Sequence, residues 1–140
     1  MSFTQAERDY LTAQPLARIA TVDAGGQPDV VPVAFELDDD VLWIGGGGES
    51  FLSTRKVRNV MAGRRDVALV VDDLASLDPF VARGIRVYGH ADDPVERTGL
   101  IGPGWYVRIT PTVSWSWNLA GEPAGAEWYP MPRRAHDQER

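Results

Sequence analysis

The chain has 140 residues, 44% of them hydrophobic and 24% charged, which is typical of one compact globular domain. It contains no cysteine, so disulfides, thiolate metal sites and cysteine nucleophiles are excluded. The net charge of −6 argues against a nucleic-acid-binding protein, because contacts with phosphates need a basic surface. The polar N-terminus lacks the features of a signal peptide, and no run of about 18 apolar residues occurs. We therefore expect a cytoplasmic protein that does not bind a membrane.

The first third of the sequence predicts a helix followed by an antiparallel meander. Thr4 as N-cap and Glu7 three residues later form a capping box, so a helix is expected over residues 4–13. Three runs of strand-forming residues follow, separated by turns rich in Gly, Pro and Asp. These predicted strands are 16–22, 29–37 and 41–45.

The middle of the chain begins with four consecutive glycines, residues 45–48, which are expected to end the third strand. Helical spacing returns over residues 53–62. The short apolar run 67–71 predicts a central strand that is buried on both faces. Two more strands are expected at 84–91 and 105–117, the latter with Pro111 at an edge or a bulge.

Six strands joined by short turns, with no βα alternation, predict a mainly β protein built on an antiparallel barrel. We assign residues 1–118 to the barrel. Residues 119–140 form a polar tail with three prolines after Asn118 and many charges, expected to be flexible or packed on a partner subunit.

The segment from Gly45 to Asn59 is the strongest candidate for an anion site. Backbone N–H groups at the start of a helix are unpaired, and nearby hydroxyls and cations would add to their attraction for a phosphate. The alternative is that Ser53 or Thr54 only caps the helix and the cations form its solvated face. No Gly-Lys-Ser/Thr follows the glycines, so this is not a nucleotide P-loop. The candidate side chains are Ser53, Thr54, Arg55, Lys56, Arg58 and Asn59.

Two further segments have the character of a binding surface for a flat ring. Pro32, between Val31 and Val33, removes a hydrogen-bond donor in mid-strand, which indicates a bulge or a simple edge strand with free backbone groups. Alternation places Trp115 and Trp117 on one face of the last strand. They are candidates for a stacking platform or a dimer anchor, and core packing is an equally simple interpretation.

Known catalytic patterns are weak in this sequence. His90 and His136 are the only histidines, and neither has the neighbours of a metal site, so no metal is expected. The nucleophile motif Gly-x-Ser-x-Gly does not occur. The sequence leaves the catalytic residues unknown.

The order of these segments resembles the pyridoxamine 5′-phosphate oxidase-like superfamily of FMN-binding-like split β-barrels. Residues 54–59 (TRKVRN) carry the general likeness. Residues 83–89 (RGIRVYG) and 108–115 (RITPTVSW) are most similar to an actinobacterial branch described as F420-dependent. The likeness covers roughly residues 4–118.

The resemblance implies a homodimer with two cofactors at the subunit interface. The cofactor phosphate would be held by Lys56 and Asn59, with the neighbouring hydroxyls and arginines, and the ring would lie along the second strand. The partner chain would contribute aromatic residues. The implied cofactor-binding residues are Val31, Pro32, Val33, Ser53, Thr54, Arg55, Lys56, Arg58, Asn59, Trp115 and Trp117.

The function that the resemblance implies is an F420-dependent oxidoreductase. It would transfer hydride between the reduced deazaflavin and a small organic acceptor with an activated double bond, and Tyr88 is one candidate for the accompanying proton. FMN in place of F420 is the first alternative. The second is a non-catalytic protein that binds a flavin, a deazaflavin or haem. The short connection between Gly89 and Trp105 leaves the substrate open.

Overall fold

The computed structural model describes residues 3–136. The first element is helix α1, Gln5–Ala13. The Thr4 hydroxyl accepts a hydrogen bond from the Glu7 N–H at 3.1 Å, and the Glu7 carboxylate accepts one from the Thr4 N–H at 2.8 Å. The predicted helix and its capping box are therefore confirmed.

Six antiparallel strands close into a barrel. These strands are β1 (Leu16–Val22), β2 (Pro28–Asp38), β3 (Val41–Gly47), β4 (Asp66–Ser76), β5 (Val81–Ala91) and β7 (Gly102–Trp117). The order of hydrogen-bonded neighbours is β3-β2-β1-β4-β5-β7, and β7 pairs back with β3. The antiparallel six-stranded split barrel predicted from the sequence is thus confirmed.

Two short strands were not expected from the sequence. Strand β6, Val95–Gly99, forms a hairpin with β7. Strand β8, Arg133–Ala135, pairs with β7 as well, so this part of the tail returns to its own barrel. The expectation that the tail is flexible or lies on a partner does not describe β8, because tertiary pairing gives its backbone a fixed place.

We expected the glycine run to end β3 at Gly45. The strand instead continues to Gly47 with a bulge. Close approach explains two of the glycines. A Cβ at Gly45 would lie 2.4 Å from the Trp105 carbonyl oxygen, and one at Gly46 would lie 2.4 Å from the Ile101 Cβ. The run therefore lets β3 pack tightly against the β6–β7 hairpin.

The helix predicted over 53–62 is shorter than expected. A 3₁₀ turn, Glu49–Ser53, comes first, and helix α2 spans Arg55–Met61. Thr54 separates the two in an extended conformation. Ser53, the first residue of the expected helix, thus belongs to a tighter turn.

Pro111 lies at an irregularity, as predicted. The pairing of β5 with β7 shifts register between Tyr88 and Gly89, which face Val113 and Pro111. The bulge places Pro111 within a central strand rather than at a sheet edge.

The barrel interior is filled by inward-pointing aliphatic side chains. Five of them are no more than 2% exposed and come from five strands: Ile19, Leu42, Leu69, Ile85 and Ile109. Helix α2 adds Val57 and Val60 to this core. Within the described residues, no helix is long and apolar enough to span a membrane.

Candidate functional site

Strand β2 has one unpaired edge. Residues 28–34 pair with β1 on one side, while pairing with β3 starts only at Phe35. Val31 is half-buried and Val33 is buried, and both face inward, whereas Pro32 is exposed on the outer face. In the described structure, therefore, residues 31–33 offer mainly their backbone groups to a ligand at this edge.

Helix α2 is attached to the β1–β2 hairpin by a buried polar contact. The Asn59 amide nitrogen donates to the Thr21 hydroxyl at 3.0 Å, and both residues are buried, at 6% and 1% exposure. This contact fixes the helix over β1. The sequence analysis assigned Asn59 to the phosphate site with Lys56 and missed Thr21, whose one signal is a hydroxyl at an inward position of an apolar strand.

Three cationic side chains of α2 have no polar partner. Within residues 3–136, Arg55, Lys56 and Arg58 make neither a hydrogen bond nor an ion pair through their side chains. Arg55 and Arg58 are exposed, and Lys56 is half-buried. Their charge is consequently available to an anion.

Lys56 is the most constrained of these cations. Its Nζ lies 5.5 Å from the centre of the Phe51 ring. Burial lowers the pKa of the Lys56 ammonium, and the Asp29 carboxylate partly opposes that effect. An anion bound here would restore favourable surroundings for the ammonium, because a nearby negative charge stabilises the protonated form.

The hydroxyls of Ser53 and Thr54 are engaged locally. Ser53 donates to the Ser50 carbonyl at 2.9 Å, and Thr54 donates to the Phe51 carbonyl at 2.7 Å. These contacts stabilise the 3₁₀ turn that leads into α2. The hydroxyls of Ser53 and Thr54 thus have local partners, unlike the cations of α2.

Trp115 and Trp117 lie on the outer face of the barrel, half-buried, so they are not part of the core. The Arg86 guanidinium lies 4.0 Å from the centre of the Trp115 ring, and Tyr88 meets the same ring edge-on at 4.9 Å. The Trp117 ring covers Gly84, where a Cβ would be 2.3 Å from its Cζ2. Arg86, Tyr88 and Trp115 thus form one surface cluster, which also contains the candidate proton donor.

The aromatic cluster and the β2 edge lie on strands that do not pair with each other. Pairing places Pro32 opposite Arg18, Arg18 opposite Val70, Val70 opposite Arg86, and Arg86 opposite Trp115. Followed in this direction along the curved sheet, Pro32 and Trp115 are four strand spacings apart, or about 19 Å.

A second row beside the first is almost entirely apolar. Sequence reasoning did not identify it as a surface, because register rather than spacing aligns its members. Val30 is 65% exposed and Tyr88 is 44% exposed, although both lie in regular strands. The row consists of Val30, Ala20, Ala68, Tyr88 and Val113. We refer to these five residues, together with Pro32, Val70 and Trp115, as the outer apolar face. Arg18 and Arg86 lie between the members of its first row.

The described structure is thus an antiparallel barrel with an open strand edge on β2 and, on helix α2, cations that make no hydrogen bond or ion pair. The family model described as pyridoxamine 5′-phosphate oxidase matches residues 3–98. The chain belongs to this family.

Individual relatives agree with this assignment. The 5a,11a-dehydrotetracycline/5a,11a-dehydrooxytetracycline reductase of Streptomyces rimosus is 46% identical over 91 residues, which is 65% of this chain and 63% of that protein. The match thus spans less than two thirds of that relative's length.

Solved structures show the same fold at lower identity. A conserved hypothetical protein from Mycobacterium tuberculosis has a TM-score of 0.66 and 18% identity, covering 91% of this chain and 93% of the other. A structure described as an F420 reductase has a TM-score of 0.61 and 21% identity, covering 80% and 98%.

Proposed function

We propose that this protein is an F420-dependent oxidoreductase that works as a homodimer and reduces a small organic acceptor with an activated double bond. Reduced F420, when bound, supplies a hydride to one carbon of that bond, solvent or a side chain supplies a proton to the other, and the cofactor leaves oxidised. The observation that carries the proposal is the group of unpaired cations on α2 beside the open edge of β2.

The chain's own residues fit a phosphorylated ring cofactor. Lys56, with Arg55 and Arg58 at its sides, would hold the phosphate through charge-assisted hydrogen bonds. Backbone groups of residues 31–33 would bind the polar edge of the ring. The β2 backbone is held by its pairing with β1 and Lys56 is half-buried, so these groups require little rearrangement on binding.

The homodimer is supported by the outer apolar face. Exposed apolar patches of this kind mark interfaces, and a two-fold axis would pack this face against its copy. Such packing would bring Trp115 of one protomer towards Pro32 of the other. The ring site would then include residues of both chains.

The names of similar proteins support the choice of chemistry. The Streptomyces rimosus relative is a reductase, and one structural neighbour is an F420 reductase. FMN presents a phosphate and a flat ring to the same donor groups, so the cofactor has to be decided by binding.

Fluorescence titration of the purified protein with F420, and separately with FMN, tests the proposal. We expect F420 to bind more tightly. The variant Lys56→Met keeps the apolar stem over Phe51 and removes the charge, so it should weaken binding by about 1.5–3 kcal/mol. Arg64→Met is the matched control, because the Arg64 guanidinium already donates to the Ala24 carbonyl at 2.9 Å.

Unchanged F420 affinity in Lys56→Met would contradict the position of the phosphate. Tighter binding of FMN than of F420 would indicate that the cofactor is a flavin rather than a deazaflavin. Failure of both cofactors to bind would reject the proposed function as an oxidoreductase.

A further inference from the structure

Three charged side chains lie among the residues of the outer apolar face. Arg18 is on β1, Asp72 on β4 and Arg86 on β5, and all three are exposed. A charge within a surface that becomes buried needs a partner, because an unpaired buried charge is strongly unfavourable. The contacts of these three groups therefore limit how the face can be covered.

Two of the charges are paired with each other. The Arg18 guanidinium donates to the Asp72 carboxylate across the pairing of β1 with β4. This contact uses one carboxylate oxygen, and the Asp72 side chain keeps 42% of its surface exposed. Because a carboxylate can accept hydrogen bonds from two arginines, Asp72 has the capacity for a second cation.

The third charge, Arg86, has no polar partner within residues 3–136. Its guanidinium lies 4.0 Å from the centre of the Trp115 ring and 5.6 Å from the centre of the Tyr88 ring. These rings attract the cation but leave its five N–H donors without an acceptor. Arg86 is therefore able to bind an acceptor that another chain supplies.

The two-fold axis of the proposed homodimer determines which group meets Arg86. With Pro32 of one subunit facing Trp115 of the other, the row that joins them runs against its own copy in the opposite order. Val70, in the middle of the row, then meets Val70 of the partner subunit, and Arg18 meets Arg86 of the partner subunit. Two guanidinium groups would repel each other here unless an anion lies between them.

The neighbouring row fits the same register in shape. The axis that pairs Arg18 with Arg86 also places Tyr88 over Ala20 of the partner subunit. Tyr88 is 44% exposed and stands out from β5, whereas Ala20 and Ala68 leave the surface beside it low. A large side chain thus meets small ones, which closely packed interfaces require.

We infer that Asp72 joins the two subunits: its carboxylate binds Arg18 of its own chain and Arg86 of the partner subunit, and the axis repeats this bridge. The inference rests on the homodimer of the proposed function. Because Arg86 stacks on Trp115, the bridge would also hold that tryptophan in place at the ring site of the other subunit.

Mixing two charge-reversal variants tests the bridge. In Asp72→Arg alone and in Arg86→Glu alone, like charges meet at both copies of the bridge, so the dimer Kd should rise about 30-fold or more. An equal mixture of the two variants forms one normal and one reversed bridge, so it should sediment as a heterodimer. A contact within one chain is not restored by mixing. Arg108→Glu, at an exposed position of β7 outside the outer apolar face, is the matched control and should stay dimeric.

Chemical cross-linking tests the register, because the chain has no cysteine of its own. Val70→Cys would place two thiols on the axis, within the roughly 10 Å that separates packed sheets. We expect a bismaleimide with a two-carbon linker to join them. Val95→Cys, at a position 44% exposed on β6, is the matched control and should not cross-link.

The outcomes separate the bridge from the proposed function. A wild-type protein that sediments as a monomer would reject the homodimer and the bridge together. With a dimeric wild type, the bridge is wrong if the single variants keep their dimer Kd, if their mixture stays monomeric, or if Val70→Cys does not cross-link. F420 binding is measured separately on the wild type, and its failure would reject the cofactor while a restored heterodimer still supports the bridge.

Discussion

Asn59 is the residue for which sequence and structure indicate different surroundings. The resemblance assigns it to the phosphate site with Lys56, but the sequence cannot say which side of α2 faces the barrel. The buried contact with Thr21 answers that question, because a buried amide needs a partner. The role of Asn59 as a cofactor ligand stays a prediction, while its attachment of α2 to β1 is observed.

Replacing Asn59 is expected to destabilise the protein. In Asn59→Ala the Thr21 hydroxyl loses its partner in a buried place, so the free energy of unfolding should fall by about 1–3 kcal/mol. Urea unfolding followed by tryptophan fluorescence measures the loss. Arg58→Ala, an exposed neighbour on the same helix, is the control, and an equal effect in both variants would contradict this account.

Strand β8 and the residue after it attach the tail to the body of the protein. His136 is 7% exposed, and its Nε2 lies 2.8 Å from the buried Ser114 hydroxyl. Its ring meets the Phe3 ring edge-on, with 4.7 Å between the ring centres. The His136 backbone N–H donates to the Thr112 carbonyl at 2.9 Å. The tail therefore connects the N-terminal segment with β7.

This attachment makes stability depend on pH. Burial lowers the pKa of the His136 imidazole, opposed mainly by the Glu7 carboxylate. The other charged groups that act on it are Arg134 on β8, Asp40 in the β2–β3 turn and the N-terminal ammonium. Because the folded protein holds the ring neutral, stability is expected to fall as pH drops below the unfolded value of about 6.5.

Urea unfolding at pH 7 and at pH 5 measures that dependence. His136→Gln should flatten it, by at most about 1.4 kcal/mol per pH unit. His90→Gln is the matched control, since His90 is exposed on β5. The hydrogen bond from Arg83 holds the pKa of Asp73 below its usual range. Protonation of that carboxylate therefore reduces the stability of the protein only at more acidic pH. If the change in unfolding free energy with pH is the same in His136→Gln as in the wild type, the attachment through His136 is not the cause of the pH dependence.

Elements with a local pattern could be predicted and those that depend on pairing could not. The strands of the barrel carry alternating or continuous apolar residues, and α1 carries its own cap. By contrast, β6 has the polar sequence VERTG and β8 has three residues, so both are strands only because β7 is beside them. The longer extent of β3 likewise depends on close contact at Gly45.

At the scale of the molecule, the outer apolar face is the main feature that one chain leaves incomplete. The sequence predicted that the strand 67–71 would be buried on both faces. Its outward residues Ala68 and Val70 are only half-buried in one chain. A second copy would complete their burial, and the aromatic residues at the proposed ring site would come from that copy.

A charge placed in this face should therefore separate the subunits. We expect the wild-type protein to sediment at twice the mass of one chain, and Val30→Glu to sediment as a monomer, because two carboxylates would be buried across the two-fold axis. Leu77→Glu, which lies outside the outer apolar face, should stay dimeric. A Val30→Glu dimer of unchanged stability would place the interface elsewhere.

The most direct test of the whole account is a crystal structure of the protein with F420. We expect the cofactor phosphate within hydrogen-bonding distance of Lys56, the ring along residues 31–33, and the partner's Trp115 against it. A phosphate away from α2, or a ring site completed by a single chain, would contradict the account.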